Sequence, residues 1–145
     1  THTEPFLLDA DHTLPAQRLA QLHKALADTL RLQILRLLRN ESFGVLELCR
    51  LVDIRQSALS HHLKVLAKAE LVATRREGNS IFYRRAFITD DDVLADLKRA
   101  AFDTVDTLEI PREQAMQLDQ LQQERSELSL SFFEKTPTAF QRTKG

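Results

Sequence analysis

Residues 53–85 read DIRQSALSHHLKVLAKAELVATRREGNSIFYRR, and this stretch decides the fold. From Gln56 to Lys68 the apolar residues Leu59, Leu63 and Leu66 recur at intervals of four and three, flanked by Ala58, Val65 and Ala69. That spacing predicts a helix with one buried face. The opposite face carries Gln56, Ser57, Ser60, His61, Lys64 and Lys68. Short hydrogen-bonding side chains near a helix start, with cations farther along, suit a helix whose first turns meet base edges while its flanks meet phosphates. Two β-prone runs follow, Leu71 to Arg76 and Ser80 to Arg85, and Glu77-Gly78-Asn79 between them supplies the Gly and Asn that a tight turn needs for positive φ. The expected unit is a recognition-type helix followed by a two-stranded wing, with Arg75, Arg76, Arg84 and Arg85 as a cationic ribbon. From Arg55 to Arg85 there are seven Lys or Arg against two Glu, whereas the whole chain carries a net charge of −1. Positive charge gathered in one segment is the footprint of a nucleic-acid surface.

Upstream, Thr13 is placed to cap a helix that Pro15 helps start, with Leu19, Leu22 and Leu26 as its buried stripe. Asp28 or Thr29 can cap a second helix, in which Leu30, Ile34, Leu37 and Leu38 face inward and Arg31, Arg36 and Arg39 face solvent. Asn40 to Gly44 interrupts, and Phe43 and Val45 can form a short strand against the wing. Leu46 to Val52 is a third, short helix, and Asp53-Ile54-Arg55 turns the chain into the recognition helix, which makes a helix-turn-helix.

Downstream, Thr89 and Asp90 to Asp92 provide caps for a long helix from Val93 to Leu108. Its apolar positions Leu94, Leu97, Ala101, Val105 and Leu108 form a coiled-coil-like seam, longer than one small core needs. Pro111 breaks the pattern, and a further helix from about Arg112 carries Met116, Leu118, Leu121 and Leu128 before an aromatic tail of Phe132, Phe133 and Phe140. From Ala86 onward twelve acidic residues outnumber seven basic ones, so this half is expected to face away from DNA. The resulting division is a loosely ordered start over residues 1–12, a winged helix-turn-helix domain over 13–110, and a helical extension or linker over 111–145.

With 145 residues and 43% hydrophobic content, the chain supports one domain and its appendage. No apolar run reaches bilayer-spanning length and no signal peptide is visible, so the expectation is a cytoplasmic protein with no membrane contact. The chain starts at Thr1 and its only methionine is Met116, which suggests a processed chain or a fragment. One cysteine, Cys49, excludes an internal disulfide and a thiolate metal cluster within one chain. Three glycines cannot make a phosphate-cradling loop, which argues against a nucleotide-binding or methyltransferase catalytic domain and for a protein that is not an enzyme and needs no cofactor.

Taken together, KALADTLRLQILRLLRN, VLELCRLV, RQSALSHHLKVLAKAELV and RREGNSIFYRR resemble the ArsR/SmtB family of bacterial winged-helix repressors, over roughly residues 15–108. The resemblance implies a mainly α fold with a small β-hairpin wing, a dimeric winged helix-turn-helix. It also implies double-stranded operator DNA as partner and operator release by a small-molecule effector, here unknown. By motif position it places DNA contacts on Gln56, Ser57, Ser60, His61 and His62, and wing contacts on Arg75, Arg76 and Asn79. It forms the dimer from the first and last helices of the domain, which carry Leu19, Leu22, Leu94, Leu97, Ala101, Val105 and Leu108 here. Two positions depart from the family pattern. Arg55 replaces a capping Ser and adds a cation near DNA, as Lys64 does farther along. Glu70 replaces the helix-terminating Gly, at a cost of about 1 kcal/mol if the backbone is left-handed there.

Metal readings are weak. Aligned on Val45 and Glu47-Leu48, the two cysteines of the family's ELCVCD box fall at Gly44 and Leu46, and no histidine follows His62. Cys49 then reads as a core thiol, His61 and His62 point about 100° apart on a helix, and Asp90 to Asp92 read as a cap, so no metal site is assigned. ERSELSLSFFEK is also similar to the connecting segment in longer members of the family that continue into an S-adenosylmethionine-dependent methyltransferase domain. That similarity points to an adenosyl metabolite as a non-metal effector, or alternatively to a chain that is the regulatory module of such a fusion. A winged helix that contacts only protein is the remaining alternative.

Overall fold

The computed structural model describes residues 9–135; residues 1–8 and Phe140 lie outside the described part. The chain divides into two compact units at Ile110. In the first, helix α1 (Asp9–Leu26), α2 (Thr29–Leu37), strand β1 (Phe43–Gly44), α3 (Val45–Val52), α4 (Gln56–Lys68), β2 (Val72–Glu77), β3 (Ser80–Arg85) and α5 (Ala95–Val105) follow in order. The second unit is a single described helix, α6 (Arg112–Lys135), which begins directly after Pro111 and includes Phe132 and Phe133.

The apolar stripes read from the sequence converge on one core. Leu22 of α1, Ile34, Leu35 and Leu38 at α2, Leu48 and Leu51 of α3, and Leu59, Leu63 and Leu66 of α4 are all buried together with Phe43 and Leu71. Each such side chain removed from water contributes roughly 1.5–3 kcal/mol. Asp28 rather than Thr29 caps α2: its Oδ1 accepts from the amides of Leu30 at 2.9 Å and Arg31 at 3.1 Å. α3 is held at its start by Glu47, whose carboxylate accepts from the Gly44 amide at 2.9 Å. Asp53 then takes a left-handed conformation, φ 55°, and so turns the chain from α3 into α4.

The wing is a three-stranded antiparallel sheet of order β1-β3-β2, with Phe43 opposite Tyr83 and Arg75 opposite Phe82. Only Phe43 and Gly44 form β1; Val45 begins α3. Glu77 pairs with Ser80, so the turn is Gly78-Asn79 alone. Gly78 has φ +59° and Asn79 does not have positive φ, the pattern of a tight hairpin with glycine at its first central position. Asn79 is therefore not needed for backbone freedom.

Three other expectations change. α1 begins at Asp9, so residues 9–12 are helical, Thr13 is not a cap, and Pro15 lies inside the helix. A proline's fixed φ is helical, and carrying it there removes one internal hydrogen bond without reversing the chain. α5 has 11 residues instead of spanning Val93 to Leu108. Thr107 and Leu108 close on Thr104 and Val105 through three-residue bonds of 3.0 Å each, and the Thr107 hydroxyl adds a 2.6 Å bond to the Thr104 carbonyl. These tighten and end the helix. The seam is consequently split: Leu22, Leu94 and Val105 are buried in the chain's own core, while Leu19, Leu97 and Leu108 remain 37–46% exposed.

Glu70 follows α4 with φ 60°. The amide of Leu71 bonds to the Leu66 carbonyl at 3.0 Å and that of Glu70 to Ala67 at 2.9 Å, the paired closure of a helix whose next residue is left-handed. A glycine would adopt this backbone at no steric cost, so Glu70 must be held by its side chain. Its carboxylate meets Arg18 at 2.9 Å and Lys98 at 3.5 Å.

Candidate nucleic-acid interface

α4 presents Gln56, Ser57, Ser60, His61, Lys64 and Lys68 to solvent, with Arg55 directly before them, because Leu59, Leu63 and Leu66 fix the opposite face in the core. Among the described residues none of these seven side chains has a polar partner within the chain. Arg55 makes no side-chain cap bond, so the first amides of α4 are left to water or to an anion. A desolvation cost for breaking internal bonds is thus absent on this face.

On the wing, Arg76, Asn79 and Arg84 are likewise exposed and unpaired among the described residues. Arg75 differs, since it pairs with Glu77 at 2.7 Å and lies 5.9 Å from the Phe82 ring centre. Arg75 and Arg84 border a hollow of about 320 Å³ that also includes Ser42, Thr74 and Phe82.

Arg85 is not part of a solvated ribbon. Its guanidinium donates to Asp106 at 2.6 and 3.2 Å and to the Leu35 carbonyl at 2.8 and 3.0 Å, and it stacks 4.6 Å from the Phe102 ring centre. Strand alternation explains this: Arg85 shares a sheet face with Tyr83, opposite Phe82 and Arg84. The Arg85 hydrogen bond, with Arg39 nearby at 3.5 Å, holds the Asp106 carboxyl below the usual range.

Arg31 is also internal, contrary to its expected solvent position. It is 7% exposed and donates to the carbonyls of Lys24 at 2.8 Å and Ala25 at 2.9 Å, and to Nδ1 of His62 at 3.1 Å. The helical stripe missed it because a long cationic side chain can cross a helix surface to satisfy carbonyls at a neighbouring helix end. Asp28 beside it shows opposing effects. Burial pushes its carboxyl up, and the Arg31 and Leu30 amides with the Arg31 charge outweigh this to leave it lowered. His62 is half-buried, unlike exposed His61.

A second charged cluster went unread in the sequence. Arg18 of α1 bonds to both Glu70 and Asp92, and buried Lys98 of α5 bonds to Asp92. The Lys98 hydrogen bond, the Leu94 amide and Arg18 together hold Asp92 far below the ordinary carboxylate range, while Asp92 raises Arg18. α5 has Leu94 at its N-cap and no side-chain cap bond, so the cap expected from Thr89 and Asp90 to Asp92 is not formed. Asp92 instead accepts from the Leu94 amide at 2.9 Å in the turn before the helix and serves as an ion-pair partner. Arg18 lies 52 residues from Glu70 and 74 from Asp92, separations that hide the cluster from any local pattern.

Cys49 is half-buried, and burial raises its thiol pKa. No group of three His, Cys, Asp or Glu among the described residues is arranged to hold a metal ion. No described helix is long and apolar enough to cross a membrane. An apolar groove of about 390 Å³ runs between Leu26, Leu32 and the α5 side chains Leu97, Ala101 and Val105, ending at Leu108.

An exposed helix in a helix-turn-helix, beside a cationic hairpin and without internal partners, defines a winged helix-turn-helix protein of the nucleic-acid-binding kind. Comparison with known proteins gives the family. Residues 28–74 match the model of the bacterial regulatory protein arsR family. The arsenical resistance operon repressor of Staphylococcus aureus is 39% identical over 84 residues, 56% of this chain and 78% of that protein. The transcriptional repressor SmtB homolog of Synechocystis is 35% identical over 71 residues, 49% of this chain and 54% of that protein, so the chain spans about half the length of this relative. The solution structure of a homodimeric winged helix-turn-helix DNA-binding domain from Mycobacterium bovis, a possible ArsR-family transcriptional regulator, superposes with a TM-score of 0.51 at 28% identity. That superposition covers 74% of this chain and 84% of that one. The chain belongs to the ArsR family.

Proposed function

We propose that the chain is a sequence-specific transcriptional repressor that binds a pseudo-palindromic operator as a homodimer and is released by a non-metal effector. The observation that carries this reading is the unpartnered polar face of α4 beside the unpaired wing cations Arg76 and Arg84. In a symmetric pair the two α4 helices enter the major groove about one helical turn apart, ~34 Å. Arg55, Gln56, Ser57, Ser60, His61 and His62 are assigned to the groove, and Lys64, Arg75, Arg76 and Asn79 to its borders and the backbone. The partner copy covers the apolar groove along α5 and reaches Leu19, Leu97, Ala101 and Leu108. The Staphylococcus and Synechocystis relatives are repressors and the Mycobacterium bovis domain is homodimeric, which supports the same roles here.

The effector is assigned as a non-metal because Gly44 and Leu46 occupy the thiolate-box positions and no imidazole follows His62. The similarity of ERSELSLSFFEK to a methyltransferase connector makes an adenosyl metabolite the first ligand to titrate. It also supports a second reading, the DNA-binding module of a longer methyltransferase protein, which is decided by whether the reading frame runs past Gly145. The main reading is tested by anisotropy titrations of a duplex from the protein's own promoter and a scrambled duplex at several salt concentrations. Promoter binding about 10³-fold tighter than scrambled is expected. Equal binding of the two, or none, contradicts the reading.

A further inference from the structure

The two ring nitrogens of His62 stand in different situations. Nδ1 is 3.1 Å from Nη1 of Arg31, and the rest of that guanidinium is fixed by the carbonyls of Lys24 and Ala25, with Asp28 Oδ2 3.8 Å from Nη1. A guanidinium has donors and no acceptor, so Nδ1 must be the accepting nitrogen and the proton of the neutral ring must sit on Nε2. Nε2 has no partner among the described residues, and no side-chain N or O atom described is both buried and unsatisfied. It therefore opens to solvent from α4, with the ring edge-on to that of His61 at 5.7 Å between centres.

We propose that Arg31 is a positioning residue for DNA binding: it locks His62 in the Nε2–H tautomer, so that the recognition helix offers a fixed hydrogen-bond donor. The proposal rests on the DNA-binding reading above. Such a donor matches a phosphate oxygen, or O6 and N7 of guanine, N7 of adenine and O4 of thymine, and is mismatched with the exocyclic amines of cytosine and adenine. Arg31 is suited to the task because its other bonds anchor it on the last-turn carbonyls of α1, that of Ala25 at 2.9 Å and that of Lys24 at 2.8 Å, the latter shared with the Ala27 amide. Its orientation is consequently set before DNA arrives, and the tautomer with it.

Two measurements test this. In the free wild-type protein, two-bond ¹H–¹⁵N correlation of the histidine rings above neutral pH should show the unprotonated, pyridine-type nitrogen of His62 at Nδ1. Finding it at Nε2 overturns the proposal without DNA entering the experiment. In promoter-duplex titrations, His62→Phe should weaken binding about tenfold, and His62→Gln, whose amide keeps a donor near the Nε2 position, should stay within about threefold of wild type. Arg31→Lys should weaken binding in the wild-type background and add nothing to His62→Phe; if it fails to fold, the His62 pair still decides. Wild type bound and His62→Phe binding equally well defeats the positioning role alone. No binding by wild type defeats the DNA-binding reading, while the tautomer is judged by the ring correlation.

Discussion

The outer face of α4 and the junction of α1 with α5 are both rich in charged and polar groups, and they use them in opposite ways. On α4, Arg55, Gln56, Ser60, Lys64 and Lys68 reach solvent with no polar partner among the described residues. At the junction, Arg18, Glu70, Asp92 and Lys98 are joined in one network, and Arg85 with Asp106 makes a second one between the wing and α5. Charges that hold a fold find their partners inside it, since a buried unpaired charge is costly. Charges left bare on a rigid helix face are available to something outside the chain.

The largest effect that could sharpen this contrast comes from the surface proposed for the second copy. Leu97→Glu with Leu108→Glu should give a folded monomer by sedimentation, with promoter affinity lowered about 10³-fold, toward the non-specific level. A double variant that remains dimeric breaks the assignment of this groove. Next, Arg85→Ala should lower unfolding free energy in urea by about 3 kcal/mol, because it leaves Asp106 and the Leu35 carbonyl without their donor. If Arg85→Ala instead leaves stability intact and weakens DNA binding, Arg85 belongs with the surface cations after all. Arg76→Ala should do the reverse, with stability unchanged and promoter and scrambled duplexes weakened alike. The salt slope should fall by about one per subunit, measured from titrations across salt concentration.

The smallest effect concerns pH. Asp92 has a folded pKa below its unfolded value near 3.9, so its contribution to stability is present above that value and drains away as pH falls below it. Asp92→Asn should therefore be less stable than wild type near neutrality and lose less stability on acidification, as followed by urea midpoints from pH 6 to pH 3. Parallel curves would show that the Arg18–Asp92–Lys98 network contributes nothing.

The sequence disclosed what depends on local period and turn chemistry. Leu59, Leu63 and Leu66 set the face of α4 and Gly78 marked the hairpin, while the family resemblance, which places a glycine at position 70, pointed to the left-handed backbone that Glu70 adopts, φ 60°. What stayed hidden depends on distance in the chain. Arg31 and Arg85 lie on patterns that read as solvent-facing, and only the fold brings Lys24, His62, Leu35 and Asp106 to them. The seam from Leu94 to Leu108 misled for a related reason. Heptad spacing shows that residues share a face, not which neighbour covers it, and Leu94 and Val105 are covered by the chain's own core.

Gln56→Ala tests most directly whether the bare face of α4 reads sequence. An exposed amide in the first turn of the recognition helix can pair bidentately with adenine, and it carries no charge to release counterions. The variant should lose about 1–3 kcal/mol on the promoter duplex, change little on scrambled DNA, keep the wild-type salt slope, and relax preference at one base position per half-site. A Gln56→Ala protein that weakens equally on both duplexes, or that shows a reduced salt slope, would contradict the assignment of α4 to the bases.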